Sequence, residues 1–247
     1  MTHIAVFSFD DGTIHDRELT ARLNALGVRA TFNLNSGFFG QSDRLTQGGR
    51  EMDHSHVTAE EAPALYRGHE IAVHTRTHPY LPHLPDGEVI TQIEDDRRRL
   101  EELFGAPVRS MAYPGGGENS DARIASLVRR HTPIDCARAY LPTYSHALPA
   151  DWLLWHPTCH VRDARADAAI DAFLGDAEGG ILFLWAHAYN LHYENLWGTL
   201  ERQIGRLLAH GIPILPMHEA WEAMHTQRGH QENGCGSDAN VNLPGAR

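Results

Sequence analysis

Residues 4–12 read Ile4-Ala5-Val6-Phe7-Ser8-Phe9-Asp10-Asp11-Gly12. The apolar run predicts a buried strand over Ile4–Phe9, and the two carboxylates with Gly12 predict the turn that ends it. A helix is expected next, because Leu19, Leu23 and Leu26 stand at helical spacing and Gly27 stops the pattern. Ala30–Leu34 then reads as a second strand. Thr58-Ala-Glu-Glu61 spells a capping box ahead of a helix that runs to Arg67. Further strands are expected at Glu70–Val73, Val108–Tyr113, Ile134–Arg138, Trp152–Thr158, Gly180–Trp185 and Ile212–Leu215. Helices are expected at Pro85–Phe104, Ser120–Arg130 (with Ser120 as N-cap), Ala164–Leu174, Leu196–Ala209 and Glu219–Met224. Strand and helix alternate without an internal repeat or a linker. Such repeats call for a parallel sheet covered by helices, and their number suits a closed or nearly closed α/β barrel in a single domain over residues 1–225. Residues 226–247 lack apolar periodicity and read as a mobile polar tail.

Composition narrows the chemistry. All 21 basic residues are Arg. Without Lys there is no P-loop, no Schiff-base chemistry and no protein-kinase site. The formal charge of −11 with neutral His argues against nucleic acid as a partner. Three Cys without a CxxC pair give neither a disulfide framework nor a thiolate zinc site, and fit a reducing compartment. The first residues carry no basic n-region, and no apolar run is long enough to span a bilayer, so a cytoplasmic protein without membrane insertion is expected. A homo-oligomer is compatible with this composition. The 18 His point towards proton transfer or metal binding, although most of them read as ordinary surface residues.

Position separates the informative polar residues from the rest. Strand one ends in Asp10-Asp11, the third in His74 with His78 four residues on, the fourth in Tyr113-Pro114-Gly115, and the strand at 180–185 at His187. Carboxylates and imidazoles are costly to bury unpaired, and here they gather at the end of the strands where β/α barrels build their sites. His74 and His78 face the same way if residues 74–78 form a helical turn. Two His and one Asp would then hold a divalent metal with positions left open; zinc, cobalt, nickel, manganese and iron all suit such a set. His54-Ser-His56 follows a polar loop and reads as surface. Gly115-Gly-Gly117 lacks the frame of a nucleotide loop. Trp152, Trp155 and Trp197 read as core or site wall, and His156, Cys159 and His160 remain unassigned.

These motifs resemble the polysaccharide deacetylases with a NodB-homology domain, carbohydrate esterase family 4, from residue 4 to about 225. Ser8-Phe-Asp-Asp-Gly12 is similar to the family's first motif and His74-Thr-Arg-Thr-His78 to its second. The resemblance implies a distorted (β/α)7 barrel and a metal-dependent hydrolase acting on an N-acylated amino sugar, glycoconjugate or other small amide. It implies Asp11, His74 and His78 as ligands of one divalent metal, zinc for preference. It also implies Asp10 as base and His187, in Trp185-Ala-His-Ala-Tyr189, as acid. Ala112-Tyr-Pro-Gly-Gly116 corresponds to the third motif, which places Tyr113, Pro114 and Gly115 at the oxyanion and substrate. The Arg of that motif, which orients the base, falls on Ala112, and Arg109 and Arg138 are the candidates to replace it. Asp151, with Trp152 or Trp155, is nearest to the fourth motif. A small-molecule or glycan substrate is expected. The same base and metal would serve an isomerase or epimerase, and a binding protein with a decayed site would keep the same fold.

Overall fold

A computed structural model describes residues 3–233 of the chain. In chain order the elements are β1 (His3–Asp11), α1 (Asp16–Ala25), β2 (Thr31–Leu34), β3 (Arg44–Gln47), β4 (Arg50–Asp53), α2 (Ala62–Leu65) and β5 (Glu70–Val73). There follow α3 (Asp86–Phe104), β6 (Ser110–Ala112), α4 (Ala122–His131), β7 (Cys136–Arg138), β8 (Cys159–His160) and α5 (Ala166–Gly175). The described residues end in β9 (Gly180–His187), α6 (Ala188–Tyr193), α7 (Trp197–Ala209) and α8 (Met217–Asn233). Seven parallel strands, in the order β7-β6-β5-β2-β1-β9-β8, curl into a half-barrel; β3 and β4 form a separate antiparallel hairpin.

β1 and β9 lie side by side over eight paired positions, and both are buried along nearly their whole length. Burial on both faces is why these strands are continuous apolar runs. Their side chains still alternate, because a strand has a period of two. Phe7 and Phe9 of β1, with Leu182 and Leu184 of β9, enter the larger core beneath the helices. Ile4 and Val6, with Ile181 and Phe183, face the barrel interior, which Trp155 and Met217 help to plug. Ser8 and Asp10 continue the interior row of β1, Trp185 and His187 that of β9, and Arg138 stands two residues past the interior-facing Cys136 on β7. The lower half of the barrel is thus apolar packing, and the same pleat brings polar groups together at its upper end.

Several expected boundaries shift for identifiable reasons. Residues 152–158 do not form a strand. Trp152–Leu154 is a 3-10 turn, Trp155 makes one bridge to Arg138, and only Cys159–His160 pairs with β9. The strand expected at 212–215 reduces to one bridge between Ile214 and Ala5. Pro157, Pro213 and Pro216 each lack the N–H that a longer ladder needs. α4 is capped by Asp121, whose carboxylate accepts from the Ile124 N–H at 2.8 Å, and not by Ser120. The Thr58 hydroxyl does accept from the Glu61 N–H (3.2 Å), but the helix behind it is a single turn. The hairpin β3–β4 and α6 had no counterpart in the expected pattern. α8 extends through Asn233, and the remainder of the segment expected as a tail lies outside the described residues. Among the described residues no helix is long and apolar enough to cross a membrane.

Gly180 opens β9 with φ +146, and a Cβ there would stand 2.1 Å from the His146 carbonyl oxygen, which accepts from the Ile181 N–H. Gly180→Ala is therefore expected to cost on the order of 1–3 kcal/mol, read as a lowered midpoint in thermal unfolding. Gly198→Ala, where a Cβ meets nothing within 4 Å, serves as the control.

Candidate active site and metal centre

Strand register decides what surrounds Asp10. Asp10 is paired with Asn33 of β2 on one side and His187 of β9 on the other. Its carboxylate is 3% exposed. Asn33 donates from Nδ2 to Asp10 Oδ1 at 2.7 Å, and the Arg138 guanidinium donates to Oδ2. Burial pushes the Asp10 carboxyl up, but Arg138, with smaller contributions from His74 and His187, pulls it further down, below the ordinary carboxylate value. Arg138 is the cause that persists at neutral pH, because burial holds His74 down at about 4 and also lowers His187. Arg138 is itself fully buried, with its guanidinium carbon 4.5 Å from the centre of the Trp185 ring.

Of the two candidate arginines, Arg138 is the one that reaches Asp10. Ala112 on β6 is the register partner of Arg138 on β7, so the guanidinium reaches Asp10 from the neighbouring strand. Arg109 lies before β6, at the opposite end of the barrel, and pairs there with Asp135 at 2.9 Å. It makes no contact with Asp10.

Asp11 ends β1 with φ 79, which turns its carboxylate away from Asp10. Its Oδ1 lies 3.5 Å from His74 Nε2 and 3.7 Å from His78 Nε2. One ligand atom from each of the three residues falls within 4.8 Å of the others, and among the described residues this is the one such group. The donor set fits a cation. The His74 Nδ1–H donates to the Ala112 carbonyl at 2.8 Å, which leaves the Nε2 lone pair facing Asp11. Asp11, His74 and His78 are thus the residues that could hold the expected metal.

Residues 74–78 are not a helical turn, contrary to expectation. Thr75 (φ 66) and His78 (φ 53) both adopt the left-handed region, and that irregular backbone swings the two imidazoles together, with ring centres 4.9 Å apart. A β-branched residue at positive φ costs on the order of 1–3 kcal/mol and persists only where its surroundings hold it. Asn35 holds it here, donating from Nδ2 to the His74 and Thr75 carbonyls at 2.6 and 2.7 Å. Asp96, fully buried on α3, accepts from the His74 and Ser36 N–H groups at 3.2 and 2.7 Å. Burial lifts its carboxyl to about 7 despite these bonds.

The surface reading of His54 and His56 is overturned. The segment after β4 crosses the top of β1: Ile14 N–H donates to Ser55, Val57 N–H to Gly12, and Thr13 bridges His56. His56 is buried, which pushes its imidazole down to about 4. His54 Nε2 lies 3.3 Å from Asp11 Oδ2, and its Nδ1 lies 3.4 Å from Asp43. Burial lowers His54, but the two carboxylates outweigh it and raise the imidazole above its ordinary value. A His-x-His spelling was the available signal, and nothing local said that a hairpin would fold it inward.

The remaining candidates divide. His187 Nε2 faces Asp10 Oδ2 at 4.0 Å and Asp11 Oδ2 at 3.7 Å. Gly115 (φ 82) lines the cavity, its loop fixed by Asn119, which donates to the Tyr113 and Gly115 carbonyls. Tyr113 borders the cavity, but its hydroxyl donates to the Leu153 carbonyl at 2.8 Å, so it acts as a strut. Pro114 is buried and does not line the cavity. Asp151 caps the 3-10 turn and pairs with Arg129, which removes it from the site. Trp155 and Trp197 are core. His160 borders the cavity, while His156 bonds the Leu141 carbonyl. The cavity measures about 900 Å³ and is walled by Tyr140, Trp185 and Tyr189 and by Leu45 and Gln47 of the hairpin.

The family model for polysaccharide deacetylases matches residues 2–130, and the chain belongs to that family. No curated protein matches the sequence. Among solved structures it is similar to the Xyl-CE4 domain of a multidomain xylanase from the hindgut metagenome of Trinervitermes trinervoides. That match has 16% identity and a TM-score of 0.60, and covers 91% of this chain and 92% of the other. The peptidoglycan deacetylase PdaC from Bacillus subtilis aligns at 16% identity with a TM-score of 0.59, covering 96% and 98%. A family pseudoenzyme from Bacillus anthracis aligns at 15% identity with a TM-score of 0.56, covering 89% and 65%. The shared fold therefore includes inactive members, and the side chains at the top of the barrel carry the question of activity.

Asn35→Ala removes both Asn35 hydrogen bonds to the 74–75 backbone and leaves the Asp96 contact to the His74 N–H. It is expected to weaken zinc binding about 10- to 100-fold, measured by competition with a chromophoric chelator, with little change in the far-ultraviolet circular dichroism spectrum.

Proposed function

We propose that the protein is a metal-dependent deacetylase that removes an acetyl or similar acyl group from an N-acylated amino sugar, a glycoconjugate or another small amide. One observation carries this reading. Asp10 and His187 face each other across 4.0 Å at the floor of the cavity, directly beside the Asp11–His74–His78 group. A divalent cation on those three residues, zinc for preference with cobalt, nickel, manganese or iron as alternatives, supplies a more acidic water and a polarised acyl carbonyl when bound.

The chain's own groups supply the rest. Asp10, kept ionised by Arg138 and oriented by Asn33, takes the proton of the attacking water at Oδ2. The Gly115 N–H bonds the oxygen that becomes negative; removing one such donor elsewhere costs roughly 3 kcal/mol. His187 takes that proton from Asp10 on its Nε2, 4.0 Å from Oδ2, and passes it to the departing amine, which returns Asp10 to its ionised form. Acid and base each contribute on the order of 10²–10⁴-fold. A cavity of about 900 Å³ with a hairpin along one side supports a small substrate, since pockets of this scale enclose single ligands.

Release of acetate from N-acetyl amino sugars by the zinc-loaded protein tests the reading. Absence of acetate together with conversion of the substrate to an isomer would establish the epimerase alternative. Absence of metal binding would place the chain with the pseudoenzymes. Asp10→Asn is expected to keep zinc and lose turnover, whereas Asp11→Asn and His74→Ala lose both, as read by metal analysis beside acetate assay.

A second expectation concerns pH. With Arg138 removed, burial dominates and the Asp10 carboxyl rises. A rising base pKa moves the acid limb of the kcat/KM profile to higher pH. Arg138→Met is therefore expected to shift that limb upward relative to wild type; an unshifted limb would separate Arg138 from the base.

A further inference from the structure

The hairpin β3–β4 touches the site at two points. At its base, His54 reaches Asp11, with Asp43 against its other ring nitrogen. At its tip, Gln47 reaches Asn190 on α6, three residues beyond His187. The Asn190 side-chain amide is bonded at both ends: Nδ2 donates to Gln47 Oε1 at 3.1 Å, and Oδ1 lies 3.0 Å from His187 Nδ1. The hairpin is also strapped to α6 independently of these groups. Arg50 donates to the Tyr193 carbonyl, and the Asp53 N–H donates to the Tyr193 hydroxyl at 2.9 Å.

An amide has one accepting end and one donating end. With Gln47 Oε1 accepting, Asn190 turns Nδ2 to the hairpin and Oδ1 to His187. An oxygen can only accept, so the His187 proton sits on Nδ1 and the other ring nitrogen, Nε2, is aimed at Asp10 and Asp11. The bond also fixes the ring plane. Asn190 is buried (1% exposed), so its amide has no water to turn towards. A neutral amide does this without adding a third negative charge beside two carboxylates.

We propose that Gln47 and Asn190 are positioning residues through which the docked hairpin sets the tautomer and orientation of His187. The proposal rests on His187 being the acid of the deacetylase read above. Loss of the relay then strikes reactions that need a protonated leaving group. An amide needs that proton; an activated aryl ester does not.

The test has two arms. In the first, kcat and KM are compared for an N-acetyl amino sugar and for 4-nitrophenyl acetate. Asn190→Leu is expected to lower the amide-to-ester ratio of kcat about tenfold or more. Gln47→Leu is expected to lower it less, because the Asn190 amide can then adopt either orientation. Asn190→Asp and Gln47→Glu keep an acceptor in the same place and are expected to recover most of the ratio. In the second arm, the ring nitrogens of histidine-labelled protein are observed by 15N NMR, with the His187 signals assigned by their loss in His187→Gln. Wild type is expected to show a protonated Nδ1 and an unprotonated Nε2, and Gln47→Leu a mixture of tautomers. Equal losses on amide and ester, or a His187 spectrum that Gln47→Leu and Asn190→Leu leave unchanged, would overturn the proposal. Should the wild-type protein release no acetate from any amide, the deacetylase reading falls, and the imidazole spectrum still decides whether the hairpin sets the tautomer.

Discussion

Two adjacent carboxylates, 3% and 6% exposed, sit at the end of β1, an interior strand of the sheet, and the upper half of the barrel is organised around that burden. Buried charges persist only when paired and hydrogen-bonded. The chain separates the two by turning them apart. Asp10 stays on the interior row of β1 and is met by Arg138 and Asn33. Asp11, at positive φ, leaves the strand and faces four imidazoles, three from two loops and His187 from the end of β9. Arg138 supplies one permanent positive charge against two negative ones. Burial holds His74 down, whereas Asp11 and Asp43 raise His54, so His54 is the imidazole that shares the charge of Asp11 beside the group that could hold a cation.

The loops that surround Asp11 are held from below by backbone bonds. Asn35 at the end of β2 and Asp96 on α3 grip the 74–75 backbone from both sides and hold Thr75 where a β-branched residue seldom goes. Gly37 makes the approach possible: its N–H donates to the Arg76 carbonyl at 3.0 Å, and a Cβ at Gly37 would stand 2.3 Å from that oxygen. The ligand geometry is therefore a property of β2, α3 and the loop between β5 and α3 together.

Much of the architecture was legible. Long apolar runs ending in polar residues gave away β1, β5 and β9, and leucine spacing gave away α1, α3 and α7. The family motifs then pointed to Asp10, Asp11, His74, His78 and His187, all of which the structure brings together. What stayed hidden was non-local. Arg109 and Arg138 are equivalent on paper, yet one stands before its strand and the other at the end of the next. His54 and His56 lie in polar sequence, and only the fold of the hairpin buries them. Asn33, Asn35, Asp96 and Asn190 carry no motif, because a residue that supports another is marked by its partner and not by its neighbours in sequence.

The division has a physical basis. Periodicity and strand-end chemistry are local, so the sequence by itself determined the class of fold, the family and the principal polar residues of the site. Register is not local. Which face of each strand points into the barrel, and which residue stands opposite Asp10, depends on how seven strands are paired. Tertiary structure alone decided that Arg138 meets Asp10, that the 74–78 turn is left-handed and not helical, and that a hairpin reaches both Asp11 and the partner of His187.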